Sequence, residues 1–241
     1  MKLAFCFLTY NDIIRFDIWN NFFKDIIKEK YVVYIHPKEN ILNKYDFDFN
    51  IVKNRVKTIS KYDIAIVHAT IALLKDAFQD DLEITHFIFL TQNCIPLYNF
   101  NQLWNILENC NKSLLSMIYG NKIERYDKID NRIKKYISKS NFLKQQPNMI
   151  LIRNDVEKLL KNDFTPYFKN IECPDEHYFI NVLIWLLKSN ITKWQTHFCN
   201  NDFSRTQALE FNIINKEFIN RIKKHGFLFM RKVGVKTVYL I

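Results

Sequence analysis

Residues 172–179 read ECPDEHYF, which sets two acids, Asp175 and Glu176, side by side directly after a proline. Proline suits the first position of a helix, where exposed amides and the helix dipole favour carboxylates, so the pair is at least a helix-start signal. The run that follows, residues 178–187, is apolar except for Asn181. A helix apolar on all sides is buried, so its first turn opens into a cleft. A carboxylate held there and partly desolvated has the raised basicity that a general base needs. The complementary charges lie nearer the C-terminus: Arg205 in FSRTQALEF, and Arg231-Lys232 in GFLFMRKV. An apolar strand ending in two cations projects fixed charge from a rigid element, which suits a phosphate or diphosphate held without a metal. Lys223 and Lys224 read instead as the solvated face of their helix.

Other chemistries find less support in the residues. The single DxD, Asp46-Phe47-Asp48, lies in a polar stretch away from any central strand and reads as a surface loop. After the strand at 86–90 the chain has the uncharged Thr91-Gln92-Asn93, too little carboxylate for a hard divalent cation. The six histidines show no ligand spacing, and three glycines in the whole chain leave no Gly-rich phosphate cradle. Five scattered cysteines without CxxC spacing suggest neither a disulfide framework nor a zinc site, and fit a reducing compartment.

The elements that must position these residues follow from periodicity. Residues 2–8 read as a buried strand; Asp12 then caps a helix with the stripe Ile14, Ile18, Phe22, Ile26; residues 31–35 are a second strand, stopped by Pro37. Further strands are expected at 86–90, 113–119, 148–152 and 191–198, and helices at 69–78, 99–109, 155–160, from 174 onward and at 216–224. Strands alternating with helices predict an α/β layered fold with a mainly parallel sheet, which binds ligands beyond the carboxyl ends of its strands. With 241 residues, 48% of them hydrophobic, and no linker or repeat, the chain is expected to form one domain, 1–241. No stretch approaches the ~20 apolar residues of a spanning helix. The 35 Lys and Arg against 25 Asp and Glu give a net charge of +10, which favours anionic partners without naming one.

In order along the chain, FLTYND, YIHPK, ATIALLKDAFQD, FIFLTQNCIPLYNF, PDEHYF and GFLFMRKV resemble the core-2/I-branching glycosyltransferase family. FLTQNCIPLYNF and PDEHYF are the most specific pieces. The resemblance implies a GT-A-type, Rossmann-like three-layer sandwich and an inverting transfer of a sugar, N-acetylglucosamine or xylose, from a UDP-sugar to a hydroxyl of a glycan or glycoprotein, without a metal. It implies Glu176 as catalytic base with Asp175 as an orienting neighbour, and Arg205 and Lys232 as the cations on the diphosphate. Thr9 and His36 would lie near the uridine, and Thr91, Gln92 and Asn93 would shape the acceptor or sugar pocket. The chain departs from the family pattern at Pro37 and Thr70, where an acid is usual, and at Gln146-Pro147-Asn148, where Gln-Trp is frequent. It also lacks the membrane anchor and disulfide cysteines of animal Golgi members, which implies a soluble relative of the kind found in bacteria and large DNA viruses. Three rivals remain: a nucleic-acid-binding module built on the basic run from Lys122 to Lys144, a two-carboxylate glycoside hydrolase, and an inactive sugar-binding relative.

Overall fold

The computed structural model describes residues 1–60, 62–118, 123–194, 196–199 and 209–240. In chain order the strands are β1 (Lys2–Thr9), β2 (Tyr31–Pro37), β3 (Asn50–Ile51), β4 (Ile84–Thr91), β5 (Ile95–Pro96), β6 (Ser113–Ile118), β7 (Lys144–Ile152), β8 (Ile191–Lys193), β9 (His197–Cys199), β10 (Ile213–Asn215), β11 (Phe229–Arg231) and β12 (Val238–Leu240). The α-helices are α1 (Phe16–Phe23), α2 (Ala65–Asp80), α3 (Phe100–Glu108), α4 (Asn131–Lys134), α5 (Arg153–Lys161), α6 (Tyr178–Asn181) and α7 (Lys216–Lys224).

The central sheet has the order β3-β2-β1-β4-β7-β6-β8 and is parallel except for β7, which runs antiparallel between β4 and β6. β1 is buried along nearly its whole length, as a strand covered on both faces must be, and KLAFCFLT is accordingly almost continuously apolar. Alternate residues feed two layers. Ala4, Cys6, Phe87, Phe89, Met149 and Leu151 pack with α2, α5 and α6, while Leu3, Phe5, Phe7, Ile88 and Ile150 pack with the faces of α1 and α3. A third cluster around Met230, Ile214 and Ile222 lies under the small sheets β5-β11-β9 and β10-β12.

Several expected boundaries move for identifiable reasons. Asp12 does not cap α1: its Oδ1 accepts from Leu42 N, Asn43 N and Tyr45 Oη at 2.9–3.2 Å, and the helix starts at Phe16. Three donors converging on one buried oxygen outcompete a single cap bond. The expected strand 191–198 is two strands, β8 on the central sheet and β9 on the small one. The apolar helix after PDEH is also shorter than its sequence suggests, with α6 passing into a π-turn at Val182–Leu186. Its lone polar residue, Asn181, is fully buried; its side chain accepts from Leu143 N at 2.9 Å and donates to Leu143 O and His177 O at 2.8 and 2.7 Å. That clamp fixes the start of β7 against the acid turn. By contrast, α3 begins as the sequence signals, with Asn99 and Gln102 forming a reciprocal capping box.

Candidate active site

Three strand ends build the site. Thr9 closes β1 and His36 stands beside it in β2, with Leu8 opposite His36 and Thr9 opposite Pro37. Thr9 Oγ1 donates to Asn11 O at 2.8 Å. His36 Nε2 accepts from Val56 N at 2.8 Å, so the neutral ring carries its proton on Nδ1, a buried donor without a hydrogen-bond partner among the described residues. Burial lowers the proton affinity of this imidazole. Beyond β4, Tyr10 N–H donates to Gln92 Oε1, and Val233 N–H donates to Asn93 O at 2.9 Å. Thr91 Oγ1 lies 3.2 Å from Cys94 Sγ. The Thr91-Gln92-Asn93 turn therefore joins the end of β1 to the segment that follows Lys232.

β7 brings in the acid turn. Because it is antiparallel and pairs Phe89 with Met149, its first residues overhang the carboxyl end of β4. Pro174–Glu176 is a single 3₁₀ turn entered through Cys173 at φ +50°, a left-handed conformation that costs a residue with a side chain about 1–2 kcal/mol and persists only where packing imposes it. Glu176 Oε2 meets Lys144 Nζ at 2.9 Å and Arg125 Nη1 at 3.2 Å, with its side chain about a quarter exposed. Arg125 is held in turn by His177. That ring stacks on Phe142 and donates from Nδ1 to Leu143 O at 3.0 Å, leaving Nε2 to face Arg125 Nη1 at 3.4 Å. Burial takes the His177 imidazole down to about 4, consistent with that neutral, accepting ring.

The group that desolvation makes basic is Asp175. Burial, and next the charge of Glu176, push its carboxyl up to about 7, against backbone hydrogen bonds and the Arg231 charge, which pull it down. The sequence placed a cleft carboxylate of raised basicity in this turn, and the physical reading gives that property to Asp175, while Glu176 faces two cations. Arg231 Nη1 donates to Asn148 Oδ1 at 3.1 Å, and Asn148 Nδ2 donates to Cys94 Sγ and Phe89 O at 3.4 and 3.3 Å. Cys199 Sγ, nearby, donates to Gln146 Oε1 at 3.2 Å.

Of the sequence-predicted residues, Thr9, His36, Thr91, Gln92, Asn93, Asp175, Glu176 and Lys232 are brought to the same edge of the sheet. Arg205 lies outside the described residues, as does Lys122 at the start of the basic run. Most of the rest of that run is drawn onto acids, Arg125 and Lys144 onto Glu176, Lys128 onto Glu172, Arg132 onto Asp130 and Lys139 onto Asp127, while Lys134 and Lys135 lie over the rings of Tyr126 and Tyr136. Two of the site's cations, Arg125 and Lys144, were thus visible in the sequence only as members of a charge run. Asn148 and Gln146 were visible only as departures from a pattern. Thr70 is buried in α2 with its hydroxyl donating to Ile66 O at 2.9 Å. Asp46 accepts from Asn20 and Asp48 pairs with Lys28, both at the surface. No group of three or more candidate metal ligands occurs among the described residues. None of the described helices is long and apolar enough to cross a membrane.

A mainly parallel α/β sheet with its polar groups gathered beyond the strand ends is the layout in which open α/β folds bind their ligands. The chain belongs to the Core-2/I-branching enzyme family, whose model matches residues 3–223. It is similar to glycosyltransferase BC10 of Oryza sativa subsp. japonica, 23% identical over 167 residues; the match covers 67% of this chain and spans 41% of that relative's length. Among solved structures it is similar to WbbM, a bifunctional glycosyltransferase (10% identity, 97% of this chain and 46% of that one, TM-score 0.49). It is also similar to the galactosyltransferase LgtC in complex with donor and acceptor sugar analogs (11% identity, 80% and 75%, TM-score 0.46).

Proposed function

We propose that this chain transfers a sugar, N-acetylglucosamine or xylose, from a UDP-sugar to a hydroxyl of a glycan or glycoprotein, with inversion and without a metal ion. The observation that supports this reading is that a cation-bearing strand end, Arg231-Lys232, is joined to the Thr91-Gln92-Asn93 turn through Val233 N–H and Asn93 O, and that the Arg231 charge reaches the buried Asp175 of the acid turn. In this mechanism the acceptor hydroxyl approaches Glu176, whose Oε2 is occupied by Lys144 and Arg125, so Oε1 takes the proton as the oxygen attacks the anomeric carbon from the face opposite UDP. Lys232, with Arg205, meets the charge that develops on the departing diphosphate. Preorganised charge of this kind is worth roughly 3–4 kcal/mol per group where water is excluded. The Nδ1–H of His36, without a hydrogen-bond partner among the described residues, is a donor suited to a uracil carbonyl beside Thr9.

The experiment is a panel of UDP-sugars with candidate acceptors in EDTA, read as UDP release and as a change in UDP affinity. Glu176→Gln should cost transfer about 10²- to 10⁴-fold and leave UDP binding intact. Transfer near the wild-type rate in that variant removes Glu176 as the base, and activity only with manganese removes the metal-free reading.

A further inference from the structure

The order β3-β2-β1-β4 makes β1 the strand at which the sheet changes direction: the chain winds from β1 to β2 and β3 on one side, then returns to pair β4 with β1 on the other. Open α/β sheets bind ligands in the crevice beyond the strand ends at such a point. The residue that stands there is Tyr10. Its N–H donates to Gln92 Oε1 beyond β4, and its carbonyl accepts from Glu39 N at 2.6 Å beyond β2, so its backbone bridges the ends of all three strands. Lys38 N–H donates to Thr9 O at 3.0 Å, which carries the β1–β2 pairing past Pro37. The backbone is thus fixed while the ring stands in solvent: Tyr10 is 54% exposed, with Lys38 Nζ 5.3 Å from the ring centroid.

A single exposed aromatic is ordinary on a protein surface, so the exposure alone carries no weight. Its surroundings do. Residues paired across a sheet share a face, and faces alternate along a strand; Leu8 and His36 are such a pair, and Tyr10 and Lys38 fall on the same side, one step nearer the crevice. Two residues rise about 7 Å, so the ring and the buried Nδ1–H of His36 can meet one flat ligand. Pro37, at the position where the family pattern has an acid, has no polar side-chain atom to accept an N–H of a base. A ring on an ordered backbone, steadied by a cation, loses little freedom when a ligand stacks on it.

We propose that Tyr10 is the nucleobase platform of the donor site: its ring stacks on the uracil while the His36 Nδ1–H donates to a uracil carbonyl, and stacking takes the place of the acid absent at Pro37. This rests on the reading of the donor as a UDP-sugar and deepens it by naming what holds the base. Recognition then runs through the flat face of the base and one carbonyl.

The test is titration calorimetry of the whole chain with UDP and, separately, with inorganic diphosphate, on wild type, Tyr10→Ala and Tyr10→Phe. Both hydrogen bonds of residue 10 are made by its backbone, so replacing the half-exposed ring leaves them in place. Tyr10→Ala should weaken UDP binding by about 5- to 100-fold, the range for loss of one base–aromatic stack, and leave inorganic diphosphate within about twofold of wild type. Tyr10→Phe, which keeps the ring, should hold UDP within about threefold. Saturation-transfer NMR should show the uracil H5 and H6 protons receiving more from the protein than the ribose protons do, with that preference reduced in Tyr10→Ala. Unchanged UDP affinity in Tyr10→Ala overturns the platform. So does an equal loss for UDP and inorganic diphosphate, which places the effect in the turn rather than in stacking. The functional reading fails separately: UDP binding that depends on Tyr10 without transfer of any sugar leaves the platform standing and removes the transferase, and transfer indifferent to Tyr10 does the reverse. A wild-type protein that binds no UDP overturns both.

Discussion

Two pairs of acids in this chain, Asp175-Glu176 and Asp46-Phe47-Asp48, look alike on paper and have opposite physical fates. The first follows a left-handed residue at the overhanging start of β7, with Asp175 buried and Glu176 locked between two cations. The second lies in a loop before β3, where Phe47 is buried against Phe23 and Tyr45 and thereby turns both carboxylates outward, onto Asn20 and Lys28. Acids acquire chemistry from the dielectric and charges around them rather than from their spacing. A DxD whose central residue is apolar and buried gives its carboxylates to solvent, and exposed ion pairs of that kind contribute little.

The sharpest way to break this contrast is to neutralise one acid of each pair. Glu176→Gln should cost transfer about 10²- to 10⁴-fold, the range of a well-placed general base, measured as initial rate at saturating donor. Next in size, Lys232→Ala should weaken UDP binding by about 10- to 100-fold, as loss of one charge-assisted contact would, measured by titration calorimetry. Asp175→Asn should act chiefly on stability. The folded protein keeps a proton on Asp175 that the unfolded chain has already lost, since its folded value of about 7 lies above the ordinary 3.8. The resulting stabilisation is fully present below 3.8, is lost as pH rises toward about 7, and does not change above that. The Asn variant should therefore gain on wild type in melting temperature between those limits and run parallel to it beyond them. Smallest of all, Asp46→Asn and Asp48→Asn should leave both transfer and EDTA tolerance within about twofold of wild type, as surface changes do. A large effect there would return the DxD to the site.

The legible part of the site was the part written in local sequence. PDEHYF, TQNC and GFLFMRKV each announce a turn or strand end with chemistry on it, and each lies where such residues can meet. What stayed hidden were partners contributed from elsewhere. Arg125 and Lys144 read only as members of a basic run because nothing in their neighbours reports that β7 crosses between β4 and β6 in the opposite sense. Asn148 read as a departure from a family pattern and Asn181 as the one polar residue of an apolar run. Their value lies in the carbonyls and amides they meet, Phe89 O, Leu143 O and Leu143 N, which are 38 or more positions away.

The amino-acid sequence by itself determined the alternation of strands and helices, the buried character of β1 and β4, the capping of α3 by Asn99 and the limits of α7, because hydrophobic period and cap chemistry act over a few residues. Tertiary structure alone decided that Asp12 would clamp a loop rather than start a helix, that β8 and β9 would serve two sheets, and that Asp175 would be buried while Glu176 met two cations. Those outcomes depend on which distant donors and charges share a low-dielectric space, and a pattern of faces along one chain carries no record of that company.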